Sequence, residues 1–175
     1  AEGGVVFSSR TGIVSKQFTA SFLDEPITGL IETSNPNKKL AVTSIQIDGV
    51  STLSSVGRWY DLSQWPLLQG KTDYKAVIDV SYDKSPALLH IYSDLVGVVS
   101  DYPAPLNKKV DEEKYFRLSM QLNEGPLHLN IGVDDDINFN LELASDKAPK
   151  GLLTLGESVS KHVYLSSITE PGFSV

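Results

Sequence analysis

Apolar and polar residues alternate along much of the chain, most regularly between Tyr115 and Leu143. The pattern occurs there in residues 116–122, 127–133 and 137–143, with turn-forming residues between these segments. A period of two places apolar side chains on one face of a strand and polar side chains on the other. The segment therefore predicts a meander of three antiparallel strands, each exposed on one face.

The same pattern predicts strands elsewhere in the chain. They lie at residues 18–22, 40–48, 76–82, 87–92 and 159–165. The turn sequence Asp83-Lys84-Ser85-Pro86 indicates that the third and fourth of these strands form a hairpin. Between Val42 and Ile45 the phase of the alternation slips, which predicts a β-bulge.

Helix is predicted at one place, residues 54–64. Val56, Trp59 and Tyr60 recur there at helical spacing, and the following Trp65-Pro66 pair would end the helix. The prediction is weakened by Gly57, which lowers helix propensity.

The number and spacing of the predicted strands indicate the fold class. We expect an all-β fold, an antiparallel β-sandwich or jelly roll of about eight to ten strands with little helix. No linker divides the chain, so residues 1–175 are predicted to form a single β-sandwich domain. Residues 100–109 are interpreted as a long crossover loop between the two sheets.

The chain is acidic and contains no cysteine. Its 175 residues carry a formal net charge of −7, and the sequence pI is about 4.9. This balance argues against nucleic-acid binding and against adsorption to anionic lipid, since both need a basic surface. The lack of cysteine excludes disulfides and thiolate metal sites. We expect protein partners or self-assembly, with no nucleic acid and no insertion into a membrane.

Residues that could support catalysis are few. The three histidines are His90, His128 and His162, and no Gly-x-Ser-x-Gly or His-x-x-x-His motif is present. A hydrolase needs a nucleophile, a base and a group that orients the base. The sequence therefore predicts that the protein is not an enzyme.

One acidic segment has the spacing of a metal-binding loop. Asp134, Asp136 and Asn138 match the first half of a calcium loop, and oxygen ligands suit this cation. Such a loop also needs glycine at its sixth position and glutamate at its twelfth, where this chain has Phe139 and Ser145. Two interpretations stay open, a calcium site and a hydrated hairpin turn. No other cofactor is predicted.

An aromatic cluster is the second candidate site. It consists of Arg58, Trp59, Tyr60 and Trp65. Tryptophan, tyrosine and arginine anchor many protein interfaces, and aromatic rings also stack on sugars. The cluster therefore predicts a binding site for a glycan or a protein, with packing inside the sandwich as the alternative.

Three functions follow from these features. The first is a non-enzymatic extracellular structural or adhesive subunit, such as a fimbrial protein, in which Val5-Val6-Phe7 could pair with the sheet edge of a neighbour. The second is a viral capsid or spike jelly roll, and the third is a carbohydrate-binding module. The first residue is Ala1 rather than methionine, as after removal of a signal peptide. We therefore expect a secreted or cell-surface protein, with the virion as the alternative location.

Overall fold

The alternating segments form strands that pair with one another in a computed structural model of the chain. The structure describes residues 4–36, 41–59, 67–83, 85–122, 125–144 and 148–156, with the backbone alone at positions 58 and 59. Within these residues the predicted antiparallel all-β fold with little helix is confirmed. It is sandwich-like, with a sheet of ten strands and a second sheet of two.

The described residues form twelve strands and one short helix. The strands are β1 (Val5–Ser8), β2 (Gly12–Ser15), β3 (Phe18–Phe22), β4 (Glu25–Ser34), β5 (Val42–Thr52), β6 (Leu68–Ser81), β7 (Ala87–Ser93), β8 (Val98–Ser100), β9 (Phe116–Leu122), β10 (Leu127–Val133), β11 (Ile137–Leu143) and β12 (Lys150–Leu155). The helix α1 (Leu53–Trp59) follows β5 directly.

The large sheet follows the chain order almost strand by strand. Its strands lie in the order β12-β11-β10-β9-β7-β6-β5-β4-β3, all antiparallel, and β8 pairs with the first residues of β6. The predicted meander is confirmed as β9, β10 and β11, and the predicted hairpin is confirmed as β6 and β7. A sheet of this kind depends on local turns, because most neighbours in space are also neighbours in sequence.

Two details of the prediction were wrong. Strand β5 contains no bulge, because its register with β4 and β6 is unbroken from Val42 onwards. The phase slip arises because Thr43, a polar residue, lies in register with Thr33 and Val80 on the face that carries Ile45. Residues 100–109 do not cross between two sheets, since the connection from β8 leads to β9 in the same large sheet.

The predicted helix is confirmed over its first part, as α1. Thr52 caps its N-terminus, because its hydroxyl oxygen accepts a hydrogen bond from the backbone N–H of Ser55 (3.3 Å). Residues 60–66 and the strand predicted at residues 159–165 lie outside the described part of the chain.

The small sheet is the hairpin of β1 and β2, and a threonine side chain joins it to the large sheet. The Thr33 hydroxyl of β4 accepts a hydrogen bond from the backbone N–H of Ile13 and donates one to its carbonyl, both at 2.9 Å. Beside it, the Ser15 hydroxyl accepts a hydrogen bond from the N–H of Ile31 (2.8 Å). Strand β2 is therefore held against β4 in part by side chains.

The start of β6 passes very close to the loop between β7 and β8. Gly97 has a φ of 92°, a conformation that L-residues with a side chain rarely adopt. A Cβ on Gly97 would lie 2.2 Å from the carbonyl oxygen of Lys71, and a Cβ on Gly70 would lie 2.1 Å from that of Gly97. Glycine is therefore required at both positions for β8 to approach β6.

We expect Gly97→Ala to lower the free energy of unfolding by about 2–4 kcal/mol, because it adds a backbone collision to an unfavourable φ. Gly156→Ala is the matched control. Its φ is also positive (102°), but a Cβ there would have no neighbour within 4 Å. Urea unfolding of both variants measures the two effects, and equal losses would show that the close approach contributes nothing.

Candidate functional site

The register of the strands places one kind of side chain on each face of the large sheet. Residues paired across antiparallel strands point to the same face. One row of paired residues consists of Ile45, Ile78, Leu89, Met120, Leu129 and Leu141. The next row on this face consists of Ile47, Ala76, Ile91, Leu118, Ile131, Phe139 and Leu153. We call the surface formed by these two rows the apolar face.

The opposite surface is hydrophilic, and we call it the polar face. Its central row consists of Gln46, Val77, His90, Ser119, Asn130, Asn140 and Leu152. Charged residues flank this row, among them Lys75, Asp79 and Arg117. The large sheet thus separates an aliphatic surface from one with many hydrogen-bonding groups.

The apolar face is not sealed from solvent by the described residues. Of its two rows only Ala76 is buried, at 6% exposure, and the larger side chains are all half-buried. Val80 and Leu122, which lie on the same face, are exposed. Within the described part of the chain no large side chain is fully buried. Inner faces of closed sandwiches are packed to the density of a protein core, and the described side chains of this face are less buried than that.

Side chains with hydroxyl groups mark both ends of the apolar face along the long strands. Thr43 shares hydrogen bonds with the hydroxyls of Thr33 (2.9 Å) and Tyr82 (3.2 Å) near one end. Near the other end, Thr72 and Ser93 share a hydrogen bond of 3.0 Å. Between these two groups neither apolar row contains a hydroxyl, amide or charged side chain.

Tyr74 lies toward the second of these ends. It pairs in register with Gly49, whose missing side chain leaves room for the tyrosine ring. Burial raises the pKa of Tyr74 above its ordinary value, because the phenolate would be poorly hydrated there.

Strand β1 presents an apolar edge. Val5, Val6 and Phe7 are 61%, 60% and 72% exposed, and β1 pairs with β2 alone among the described strands. A strand edge with unpaired backbone groups and no charged side chain can accept another strand. The pairing predicted for the Val5-Val6-Phe7 segment with the sheet edge of a neighbour stays a prediction.

The predicted aromatic cluster is described only in part. The backbones of Arg58 and Trp59 form the last turn of α1, while Tyr60 and Trp65 lie outside the described residues. The proposed binding role of these four residues stays a prediction.

The predicted calcium ligands have partners within the sheet. The carboxylate of Asp134 accepts a hydrogen bond from the N–H of Tyr115 (2.7 Å). The amide oxygen of Asn138 accepts hydrogen bonds from Asn140 (2.7 Å) and Asn130 (3.3 Å). No group of three acidic, histidine or cysteine side chains in the described residues could hold a metal ion. The calcium site, which also includes Asp136, stays a prediction.

Two of the three histidines lie on the polar face. His90 Nδ1 is 2.9 Å from the Ser119 hydroxyl, and His128 lies on the neighbouring strand pair, opposite Glu142. No described hydrogen bond joins His90 to a carboxylate, the third member of a hydrolase triad. His162 lies outside the described residues.

Comparison with known proteins matches this chain to a protein family. A family model described as YhdP protein matches residues 1–166 of the 175. The chain belongs to the YhdP protein family. No curated protein and no solved structure matches it significantly. No helix in the described part of this YhdP-family chain is long and apolar enough to span a bilayer.

A buried lysine in this YhdP-family chain was not anticipated from the sequence. Lys108 is only 5% exposed, and its ammonium group donates hydrogen bonds to the carbonyls of Val98 and Lys109, both at 3.0 Å. Desolvation lowers its pKa, with a partial opposing effect from Glu112 and Asp94. The residue lies in a charged loop, and no sequence pattern distinguishes it from its exposed neighbour Lys109.

The lowered pKa of Lys108 predicts the direction in which stability changes with pH. The folded protein releases the Lys108 proton at a lower pH than the unfolded chain does, so stability increases as the pH rises through the folded pKa toward 10.5. We therefore expect the free energy of unfolding of the wild type to rise relative to that of Lys108→Met as the pH increases across this range. Urea unfolding at several pH values measures both proteins. Lys109→Met controls for loss of a positive charge. An equal gain over both variants would contradict the prediction.

Proposed function

We propose that this protein is a non-enzymatic binding module that holds hydrocarbon chains, such as the acyl chains of lipids, on its apolar face. The observation that supports this proposal most directly is the pair of aliphatic rows, which stay partly exposed across the large sheet. Exposed apolar surface that is continuous over several strands is rare in soluble proteins and marks a binding surface.

The chemistry of the two rows favours hydrocarbon over a protein partner. Protein interfaces contain about one hydrogen bond per 100–200 Å² and are rich in tyrosine, tryptophan and arginine. Between Ile45 and Leu153 the rows hold aliphatic side chains, one methionine and one phenylalanine, and no hydrogen-bonding side chain. A ligand without polar groups along its length matches such a surface, because it leaves no buried donor or acceptor unpaired.

The face is also long enough to hold an acyl chain. The longer row crosses seven strands from β5 to β12, and at a spacing of about 4.8 Å it extends for about 29 Å. An acyl chain fills one leaflet of a bilayer, about 15 Å or half of the hydrocarbon thickness. Each methylene group removed from water contributes about 0.8 kcal/mol before the cost of association.

A charge on the apolar face should abolish this binding. We expect Ile45→Glu to weaken binding of a fluorescent fatty acid at least tenfold, because the carboxylate would have to be desolvated by the chain. Gln46→Glu is the matched control, since it places the same charge one residue further on the polar face. Fluorescence titration measures both, with circular dichroism to confirm folding.

Two results would contradict the proposal. One is the absence of saturable fatty-acid binding by the wild-type protein. The other is equal weakening by Ile45→Glu and Gln46→Glu, which would indicate that charge alone, and not the apolar face, controls binding.

The second candidate is the structural or adhesive subunit expected from the sequence, acting outside the cell. It is favoured by the edge of β1, where Val5, Val6 and Phe7 are exposed on a strand that carries no charge and no proline. Natural edge strands usually carry lysine, proline or a bulge that blocks pairing with a neighbour. Pairing of β1 with an edge strand of a second copy would give assembly.

We expect Val6→Lys to reduce self-association, because a lysine on the edge resists the approach of another strand. Light scattering and sedimentation velocity over a range of protein concentrations measure the assembly. Ser9→Lys adds the same charge in the exposed turn after β1 and serves as control. A wild-type protein that is monomeric throughout this range would exclude self-assembly through β1.

A further inference from the structure

The polar face contains a shallow depression that neither proposed function uses. It has a volume of about 200 Å³ and lies over strands β7, β9, β10 and β11. Its polar lining residues are His90, Ser119, Gln121, His128, Asn130 and Asn140. Leu88, Met120 and Leu129 complete the lining and make much of it apolar.

Hydrogen bonds within the sheet fix the orientation of several of these side chains. The imidazole of His90 bonds to the Ser119 hydroxyl at 2.9 Å. Asn130 donates to the amide oxygen of Asn140 at 2.7 Å. These four residues lie in one register row across four adjacent strands. A row of groups that are already oriented loses little side-chain freedom when it binds a ligand.

The lining identifies the chemical class of ligand. It contains no acidic residue, lysine or arginine, whereas sites for anions use arginine or lysine and sites for hard cations use carboxylates. Hydroxyl, carboxamide and imidazole groups can each donate and accept hydrogen bonds. The hydroxyl groups of a polyol have the same dual capacity, so a neutral polyhydroxyl ligand can pair with the donors and acceptors that the hydrogen bonds within the sheet leave over.

Charges of both signs lie close to the depression. Glu142 pairs in register with His128 on one side and with Lys150 on the other. An acid and a base opposite each other on adjacent strands leave little net field over the row. On the other side Asp79, in register with Leu88, adds a negative charge with no basic residue opposite it, which disfavours an anionic ligand.

Aromatic rings continue from the depression along the same face. His90 and Tyr92 are stacked with ring centroids 6.2 Å apart, and Tyr92 and Tyr115 are stacked at 6.3 Å. Such rings offer an apolar surface beside hydrogen-bonding groups. The C–H face of a sugar ring has the complementary character, since its hydroxyls lie around the edge.

We propose that this depression binds one ring of a neutral sugar, free or at the end of a glycan. The volume supports a ligand of that size, because about 200 Å³ is below the roughly 300–1,000 Å³ of pockets for drug-sized ligands and holds about six or seven waters. The site differs from the tryptophan-containing cluster near α1, and it does not depend on hydrocarbon binding by the opposite face.

The test uses the whole chain and a panel of methyl glycosides of glucose, galactose, mannose and N-acetylglucosamine, with glucuronic acid as a charged probe. Saturation-transfer NMR and calorimetry detect binding. We expect saturable binding of at least one neutral sugar, with affinity reduced tenfold or more by Ser119→Ala and by Asn130→Leu. Gln46→Leu is the control, because it removes an amide from the same face outside the depression.

The proposal is overturned if no neutral sugar on the panel binds, if glucuronic acid binds more tightly than every neutral sugar, or if Gln46→Leu weakens binding as much as the two site variants. Thermal unfolding of each variant is measured alongside. Because Ser119→Ala removes only a hydroxyl, it keeps the test valid should Asn130→Leu fail to fold.

Discussion

The ladder of backbone hydrogen bonds runs without a break in register from β3 to β12, and both faces of the sheet depend on it. Side chains alternate with a period of two, so a slip of one residue in any pairing would move the apolar residues of every later strand to the other face. The pairing of β5 with β6 is the longest, from Val42 to Thr52. It fixes how the smaller strands on either side are aligned, and thereby keeps the aliphatic rows continuous.

Much of this architecture could be predicted from local sequence. The meander of β9, β10 and β11 was found because both strand alternation and turn residues act over a few positions. The bulge predicted in β5 was wrong because Thr43 lies on the apolar face, where its hydroxyl is satisfied by Thr33 and Tyr82, and the latter is distant in sequence. Lys108 could not be recognised for a similar reason, since the carbonyl of Val98 that binds it lies ten residues away in β8.

The candidate sites differ in how well the sequence alone could predict them. Alternation shows that a strand has an apolar side, but it cannot show whether another layer covers that side, because coverage is a tertiary property. The alternation through Ile45 and Ile47 therefore could not show how far their face is covered. The depression on the polar face is even harder to predict from the sequence. Its row joins His90, Ser119, Asn130 and Asn140 from four strands, and only the register brings them together.

The attachment of the β1–β2 hairpin through Thr33 has a consequence for motion. The central strands are held by many cooperative backbone bonds, whereas the hairpin depends in part on one hydroxyl that bonds both the N–H and the carbonyl of Ile13. Such a segment can open as a separate unit at a free energy well below that of global unfolding. Opening would release β1 and β2. It would also uncover the part of the β4 edge that does not pair with β3. A partial unfolding equilibrium at one end of the sheet would thus set how often that edge becomes available.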